Sequence, residues 1–166
     1  MRLIVLTGAS GSGKTAIAKA VQSRCRNTDV LFFDSIGIPS LDRMIAECGS
    51  PEDWQRAKTT EWMARIAGLP ERRNVLFEGQ TRISFLLEAV SAAGVRDYRI
   101  ILVDCDDAIR RRRLNADRGQ PELANPKMMI WARFLRDEAK RHGCEILDTS
   151  LDPIETCVAR VCDHLK

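Results

Sequence analysis

The sequence predicts an α/β protein, a three-layer α/β/α sandwich built on a five-stranded parallel sheet. Short, continuous apolar runs alternate with longer segments of helical period, which is typical of strands buried on both faces. Crossovers between parallel strands are almost always right-handed, so the repeat places helices on both sides of the sheet. The predicted strands are Leu3–Thr7, Val30–Asp34, Asn74–Glu78, Arg99–Asp104 and Cys144–Asp148.

The composition is that of one globular domain over residues 1–166. With 45% hydrophobic and 30% charged residues, the chain has enough apolar side chains for one core. The six cysteines form no Cys-x-x-Cys pair and no signal-peptide segment is visible, so we expect reduced thiols in a cytoplasmic protein. No apolar run approaches the roughly 18 residues of a membrane span. A formal charge of +3 is too small to indicate nucleic acid by itself.

Three segments outside the strands have distinct patterns. Between the second and third strands, Gly-Pro signals punctuate two predicted helices, Ser40–Cys48 and Pro51–Ala67, which form a helical insertion over 35–70. The segment 117–127 contains two prolines that prevent one continuous helix, and we interpret it as a lid. Near the end, Asp152 followed by proline predicts a capped helix that runs to about Leu165.

A glycine-rich segment follows the first predicted strand and precedes a segment of helical period. It fits Gly-x-x-x-x-Gly-Lys-Ser/Thr, the Walker A pattern that binds nucleotide phosphates. Glycines allow successive backbone N–H groups to turn inward, and the N-terminus of the next helix adds positive potential. The alternative is a glycine-rich turn without a ligand. The predicted nucleotide-binding residues are Gly8, Ala9, Ser10, Gly11, Ser12, Gly13, Lys14 and Thr15.

Two side chains of this loop have separate predicted roles. We expect Lys14 to bridge the outer phosphates and to act in catalysis, and Thr15 to offer its hydroxyl to Mg²⁺. ATP and Mg²⁺ are therefore the predicted cofactors, although the sequence does not distinguish ATP from GTP.

The loop and the α/β layout together resemble the small P-loop kinases, a group that includes nucleoside monophosphate, shikimate, gluconate and chloramphenicol kinases. The resemblance implies the P-loop NTPase fold, and an acceptor site beside the insertion 35–70. In that group the third strand ends in an acidic residue that organises the Mg²⁺ shell, and Glu78 is the matching carboxylate here. A helix cap or a surface acid is the alternative interpretation of Glu78.

The same resemblance implies two acceptor-binding residues. Asp34 ends the second predicted strand, where such kinases hold an aspartate that contacts or deprotonates the acceptor hydroxyl. Arg82 follows the third strand, where nucleoside monophosphate kinases hold an arginine that grips the acceptor phosphate. Asp34 could instead cap a turn, and Arg82 could be a solvated residue at a helix start.

An arginine run follows the fourth strand, and helical projection turns Arg110 and Arg113 inward, with Asp117 able to pair with Arg113. The kinase resemblance implies that Arg113 and Arg118 act in catalysis as the lid closes on the phosphates. Arg111 and Arg112 point away. A solvated basic face is the alternative.

These patterns predict an ATP-dependent phosphotransferase that moves the γ-phosphoryl group to a small-molecule acceptor. From residue 108 to residue 141 there are ten Lys and Arg against four Asp and Glu, which suits a triphosphate and an anionic acceptor. It would also suit an RNA or DNA end, so a nucleic-acid end kinase is one alternative. A P-loop NTPase or switch module is another. The acceptor's identity is open, as is the choice between monomer and homodimer.

Overall fold

The computed structural model describes residues 1–70 and 73–166. Five strands alternate with seven helices in these ranges. In chain order they are β1 Leu3–Thr7, α1 Lys14–Arg24, β2 Thr28–Phe32, α2 Leu41–Cys48, α3 Pro51–Ala67, β3 Asn74–Glu78, α4 Ile83–Ala92, β4 Tyr98–Asp104, α5 Asp107–Arg112, α6 Pro126–Arg141, β5 Glu145–Asp148 and α7 Ile154–His164.

All five strands are parallel, in the order β2-β3-β1-β4-β5, which confirms the predicted sheet. β1 is central and pairs with β3 on one side and β4 on the other; Leu3 lies opposite Val75 and Tyr98. Because side chains alternate along a strand, Leu3 and Val5 face one hydrophobic cluster and Ile4 faces the other. Helices therefore cover both faces of the sheet, as a three-layer sandwich requires.

The insertion contributes unequally to the core. Ser40 and Ser50 cap α2 and α3 through their side-chain oxygens, which accept bonds from the amides of Arg43 and Asp53. Helix α3 buries Trp62 and other apolar residues against the sheet, whereas no residue of α2 is buried. Helix α2 consequently lies on the outside of the molecule, against α3.

Several predicted boundaries differ from the structure. Those of α2, β4 and β5 differ by one residue at the start, and those of β2 and α7 differ at both ends. β2 ends at Phe32, so Asp34 lies in a short 3₁₀ turn, Phe33–Ile36, which the hydroxyl of Ser35 stabilises by donating to the carbonyl of Phe32 at 2.7 Å. The predicted cap of α7 is wrong: the helix starts after Pro153 without a side-chain cap, and the carboxylate of Asp152 accepts a bond from Arg160 at 3.2 Å instead.

Within residues 1–70 and 73–166, none of the helices combines the length and the apolar character that a membrane span requires.

Candidate functional site

The backbone between β1 and α1 requires glycine at two positions. A Cβ on Gly8 would collide with the carbonyl oxygen of Val103 in β4. Gly11 has a φ of +80°, and a Cβ there would lie 3.1 Å from both Arg110 and Leu114 side-chain carbons. The loop thus passes close to the sheet and to the segment after β4, which only residues without side chains allow.

The loop leads directly into α1, whose first residue is Lys14. Gly13 precedes the helix with a φ of +97° and no side chain caps the first turn. The first N–H groups of a helix lack partners within the helix and attract anions. The hydroxyl of Ser12 is also buried and without a hydrogen-bond partner among the described residues. This combination fits a bound polyphosphate.

Lys14, Thr15 and Glu78 meet where α1 begins and β3 ends. The Lys14 ammonium lies 3.7 Å from Oε1 of Glu78, and the hydroxyl of Thr15 donates to the same oxygen at 3.3 Å. Burial lowers the pKa of Lys14 despite the nearby Glu78 carboxylate. Burial likewise raises the pKa of Glu78, against the opposing effect of Lys14. The half-buried hydroxyl of Thr15 and the buried carboxylate of Glu78 therefore share one location, and they are the kind of oxygen ligands that Mg²⁺ prefers.

This buried pair predicts a pH-dependent effect of Glu78→Gln on stability. The pKa of Glu78 is raised above its ordinary 4.5 in the folded chain. The stability that the protonated carboxyl group contributes is therefore fully present below pH 4.5, and it is lost as the pH rises through the raised pKa of the folded chain. Without nucleotide or Mg²⁺, the melting temperature of Glu78→Gln minus that of the natural chain should therefore become more positive as the pH rises from 4 to 8.

The measurement is the melting temperature of both proteins from pH 4 to pH 8. The melting temperature of the variant minus that of the natural chain should be lowest in acid, where Glu78 is itself protonated. A difference that instead becomes more negative toward pH 8 would show that the ion pair with Lys14 outweighs the burial of Glu78. Metal-dependent activity should fall about 10- to 100-fold in the same variant.

The fully buried Arg110 stabilises the phosphate loop through a hydrogen bond to its backbone. Arg110 donates to the carbonyl of Ser10 at 2.9 Å and to Oδ1 of Asp104 at 2.7 Å, while Arg136 of α6 donates to Oδ2 of Asp104 at 2.6 Å. Asp104 therefore joins two arginines at the end of β4. The helical projection found the inward orientation of Arg110. It did not find Asp104 or Arg136, although an acidic residue at a strand end beside an arginine run was an available signal.

Arg113 also contacts the loop. It donates to the hydroxyl and carbonyl of Thr149 at 2.7 and 3.0 Å, and more weakly to the carbonyls of Gly11 and Ser12 at 3.4 Å each. The Thr149 hydroxyl lies 2.8 Å from the carbonyl of Ser12, to which it donates. The predicted pair with Asp117 does not form. Arg113 thus ties the loop to the segment that follows β5.

A cavity of about 430 Å³ opens on the α1 side of the loop. Lys14 and Arg113 line it, and so does Arg118, which is exposed at the start of the predicted lid segment. Thr149 and Ile154 also line this cavity. The volume and the basic walls fit a nucleotide whose phosphates rest on the loop.

A second cleft, of about 340 Å³, lies on the other side of the loop, under the insertion. Ser10 belongs to both the loop and this cleft, and Asp34 and the buried Trp54 also line the cleft. Asp34 is exposed, and its carboxylate forms no hydrogen bond or ion pair within the described ranges. The two cavities therefore meet at the phosphate loop.

Arg82 lies apart from Asp34. Its guanidinium pairs with Glu52 of α3 at 2.7 Å and covers the rings of Phe134, Phe85 and Trp131 at 4.9, 5.4 and 5.7 Å. It lines a neighbouring depression with Gln80, outside the cleft that contains Asp34. The predicted acceptor residues therefore do not converge on one cavity.

Comparison with known proteins identifies related sequences and folds. A family model described as an AAA domain matches residues 4–129. A nucleotide-binding protein of Rhodospirillum rubrum is 26% identical in an alignment of 159 residues that covers 92% of this chain and 44% of that protein. The chain thus spans less than half the length of this curated relative.

Solved structures of small kinases share the fold. A gluconokinase from Sinorhizobium meliloti superposes with a TM-score of 0.70 at 18% identity, over 99% of this chain and 91% of that chain. A shikimate kinase from Bacteroides thetaiotaomicron superposes with a TM-score of 0.64 at 16% identity, over 98% and 97%. At such identities the likeness establishes the fold alone, and it confirms the predicted kinase-like P-loop architecture.

Proposed function

This chain belongs to the AAA domain family, and we propose that it is an ATP-dependent phosphotransferase that moves the γ-phosphoryl group to a small hydroxyl compound. The observation that carries this proposal is the pair of cavities that flank the phosphate loop. A hydrolase or a switch requires space for the nucleotide, whereas a kinase also requires a second site for the acceptor beside the outer phosphate. The cleft under the insertion offers that second site.

The nucleotide side is assigned to the loop and its neighbours. The amides of residues 8–15 hold the phosphates, with Lys14 against the outer ones, while Thr15 and Glu78 hold Mg²⁺ directly or through water. Bound Mg²⁺ supplies positive charge that offsets the charge on the transferring group. Burial of Lys14 strengthens its attraction for phosphate, because few water molecules screen it.

The acceptor side is assigned to Asp34. Its carboxylate takes the proton of the acceptor hydroxyl as the hydroxyl oxygen bonds to the γ-phosphorus and the bond to the β-phosphate oxygen breaks, releasing ADP. Asp34 is near enough to Lys14 and Glu78 to affect the pKa of both, which supports a location beside the reacting phosphate. Its lack of a partner within the described ranges leaves the carboxylate available to a hydroxyl.

Two arginines complete the proposed site. Arg118 is exposed on the wall of the nucleotide cavity and closes on the phosphates when the segment 117–127 moves. Arg113 holds the loop through its bonds to Thr149 and the loop carbonyls, and so keeps the loop amides in place. Arg82 pairs with Glu52 and lies over aromatic ring faces beside the acceptor cleft. We therefore assign it a structural role there and no contact with the acceptor.

Asp34→Asn tests the assignment. We expect acceptor-dependent formation of ADP to fall about 100-fold, because asparagine cannot take the hydroxyl proton. The nucleotide Kd should stay within about twofold, since Asp34 lies outside the nucleotide cavity. The measurements are ADP release with and without a metabolite pool, and titration with a fluorescent ATP analogue.

Asp29→Asn is the matched control, because Asp29 lies in β2, the strand that leads to Asp34, and pairs with Arg73 instead of lining the cleft. Equal acceptor-dependent turnover in natural chain and Asp34→Asn would remove Asp34 from the mechanism. ADP release that never responds to the metabolite pool would reject the phosphotransferase itself.

The second candidate is an NTPase or switch module whose output lies in a partner or in further chain. It is favoured by the curated relative, which is named only as a nucleotide-binding protein and is more than twice as long as the matched region. Such a module turns over slowly whether or not a metabolite pool is present. The same ADP measurement therefore distinguishes the two candidates.

A further inference from the structure

We infer that the phosphoryl acceptor is an uncharged hydroxyl compound rather than a carboxylate or a phosphate ester. The inference rests on the proposed function and concerns the cleft under the insertion. Within the described residues, that cleft is lined by apolar, hydroxyl and amide side chains and by one charged group, Asp34. An anionic acceptor would enter a site whose only lining charge is negative.

Within the described ranges, three basic residues near the cleft are paired with carboxylates. Arg82 pairs with Glu52 at 2.7 Å, which removes the arginine expected from nucleoside monophosphate kinases as a free phosphate grip. On the outer side, two further cations belong to pairs: Arg43 with Glu47 at 2.7 Å and Lys58 with Glu61 at 2.8 Å. Each of these three cations is therefore offset by a carboxylate of its own.

The lining offers contacts that suit a neutral molecule. Phe33 and Trp54 present ring surfaces, at an edge-to-face angle of 77°. Gln80 accepts a bond from Ser10 at 3.0 Å through its amide oxygen, which leaves its NH₂ group to donate. The Gln55 NH₂ group is fixed on the carbonyl of Gln80 at 3.0 Å. Amide donors and ring faces bind hydroxyl compounds without requiring a charge on them.

Phe33 and Gly79 pack so closely that position 79 has no room for a longer side chain that would change the lining of the cleft. A Cβ on Gly79 would lie 2.6 Å from Cβ of Phe33, so Phe33 and the end of β3 are in direct contact. No space remains between them for a longer, charged side chain from β3. The positive charge of the site is instead concentrated on the other side of the loop, at Lys14, Arg113 and Arg118 in the nucleotide cavity.

The test uses a deproteinised cell extract divided by charge. Passage at pH 8 through an anion exchanger and then a cation exchanger yields an uncharged fraction and two eluates. Each is incubated with the whole protein, Mg²⁺ and ATP labelled in the γ-phosphoryl group, and label in new compounds is measured. Lys14→Ala provides the background.

We expect the uncharged fraction to take up label at least tenfold above that background. Label that enters compounds from either eluate alone would overturn the inference while leaving the phosphotransferase intact. Label that enters no fraction would reject the proposed function, and the inference with it.

A pair of charge variants gives an independent readout. Ile38 lines the cleft and is 51% exposed, so both Ile38→Arg and Ile38→Glu can be accommodated. For an uncharged acceptor, the amount of the active fraction that gives half-maximal rate should agree between the two variants within about twofold. For an anion it should be roughly tenfold lower in Ile38→Arg, because two unit charges separate the variants. Ile38→Gln is the neutral reference. A tenfold difference between Ile38→Arg and Ile38→Glu would overturn the inference.

Discussion

Lys14→Ala is expected to lower turnover on the order of 10³-fold and to weaken binding of the triphosphate strongly. Lys14 is the buried cation of the phosphate loop, and its ammonium lies beside Glu78 at 3.7 Å. A charge excluded from water acts on phosphate oxygens with little screening, and removing one such group from a preorganised site costs about 10²–10³ in rate. The loss of binding adds to this.

The measurements are ADP release and nucleotide titration on natural chain and variant. Lys140→Ala is the matched control, because Lys140 is an exposed lysine in the last turn of α6, away from both cavities. Thermal unfolding without nucleotide verifies that Lys14→Ala folds. Unchanged binding and turnover in a folded variant would refute the assignment of the phosphate site to this loop.

Arg110→Leu is expected to reduce the free energy of unfolding by about 3–5 kcal/mol, the usual effect of removing one partner from a buried ion pair. The guanidinium of Arg110 is fully buried and donates to Asp104 at 2.7 Å and to Ser10 at 2.9 Å. The substitution leaves the carboxylate of Asp104 with Arg136 alone and the carbonyl of Ser10 without its donor. We therefore expect the protein to be less stable and the backbone of the phosphate loop to shift.

Urea denaturation provides the free energy, and nucleotide titration reports the loop. Arg111→Leu is the control, since Arg111 is the next residue of the run and is exposed; its effect should stay within about 0.5 kcal/mol. Equal stabilities of the two variants would mean that the Arg110 pair contributes nothing net, as occurs when the cost of burying charges cancels their attraction.

The sequence predicted best where local pattern determines structure. β1, β3 and α3 have the predicted bounds because a continuous apolar run or a serine-proline start leaves few alternatives. β2 and α7 were predicted less well, because their ends depend on hydrogen bonds of Ser35 and on the pairing of Asp152 with Arg160. These bonds join residues 3 and 8 positions apart, and a hydrophobic pattern does not register them.

The candidate site divides in the same way. The phosphate loop is a short contiguous motif, so its glycines and Lys14 could be found from order along the chain alone. The pairing of Glu52 with Arg82 joins residues 30 positions apart, and that of Arg110 with Ser10 joins residues 100 apart. No periodicity within one helix predicts such contacts. The kinase resemblance therefore implied that Arg82 binds the acceptor, whereas in the structure Arg82 pairs with Glu52.

The central position of β1 has a consequence for how the protein opens. Hydrogen-bonded neighbours flank this strand on both edges and packed helices cover both its faces. Its amides can therefore exchange with deuterium only in the rarest, most complete unfolding events, whereas the outer strands β2 and β5 exchange through partial ones. The loop that β1 carries should keep its anchorage while the edges of the molecule fluctuate.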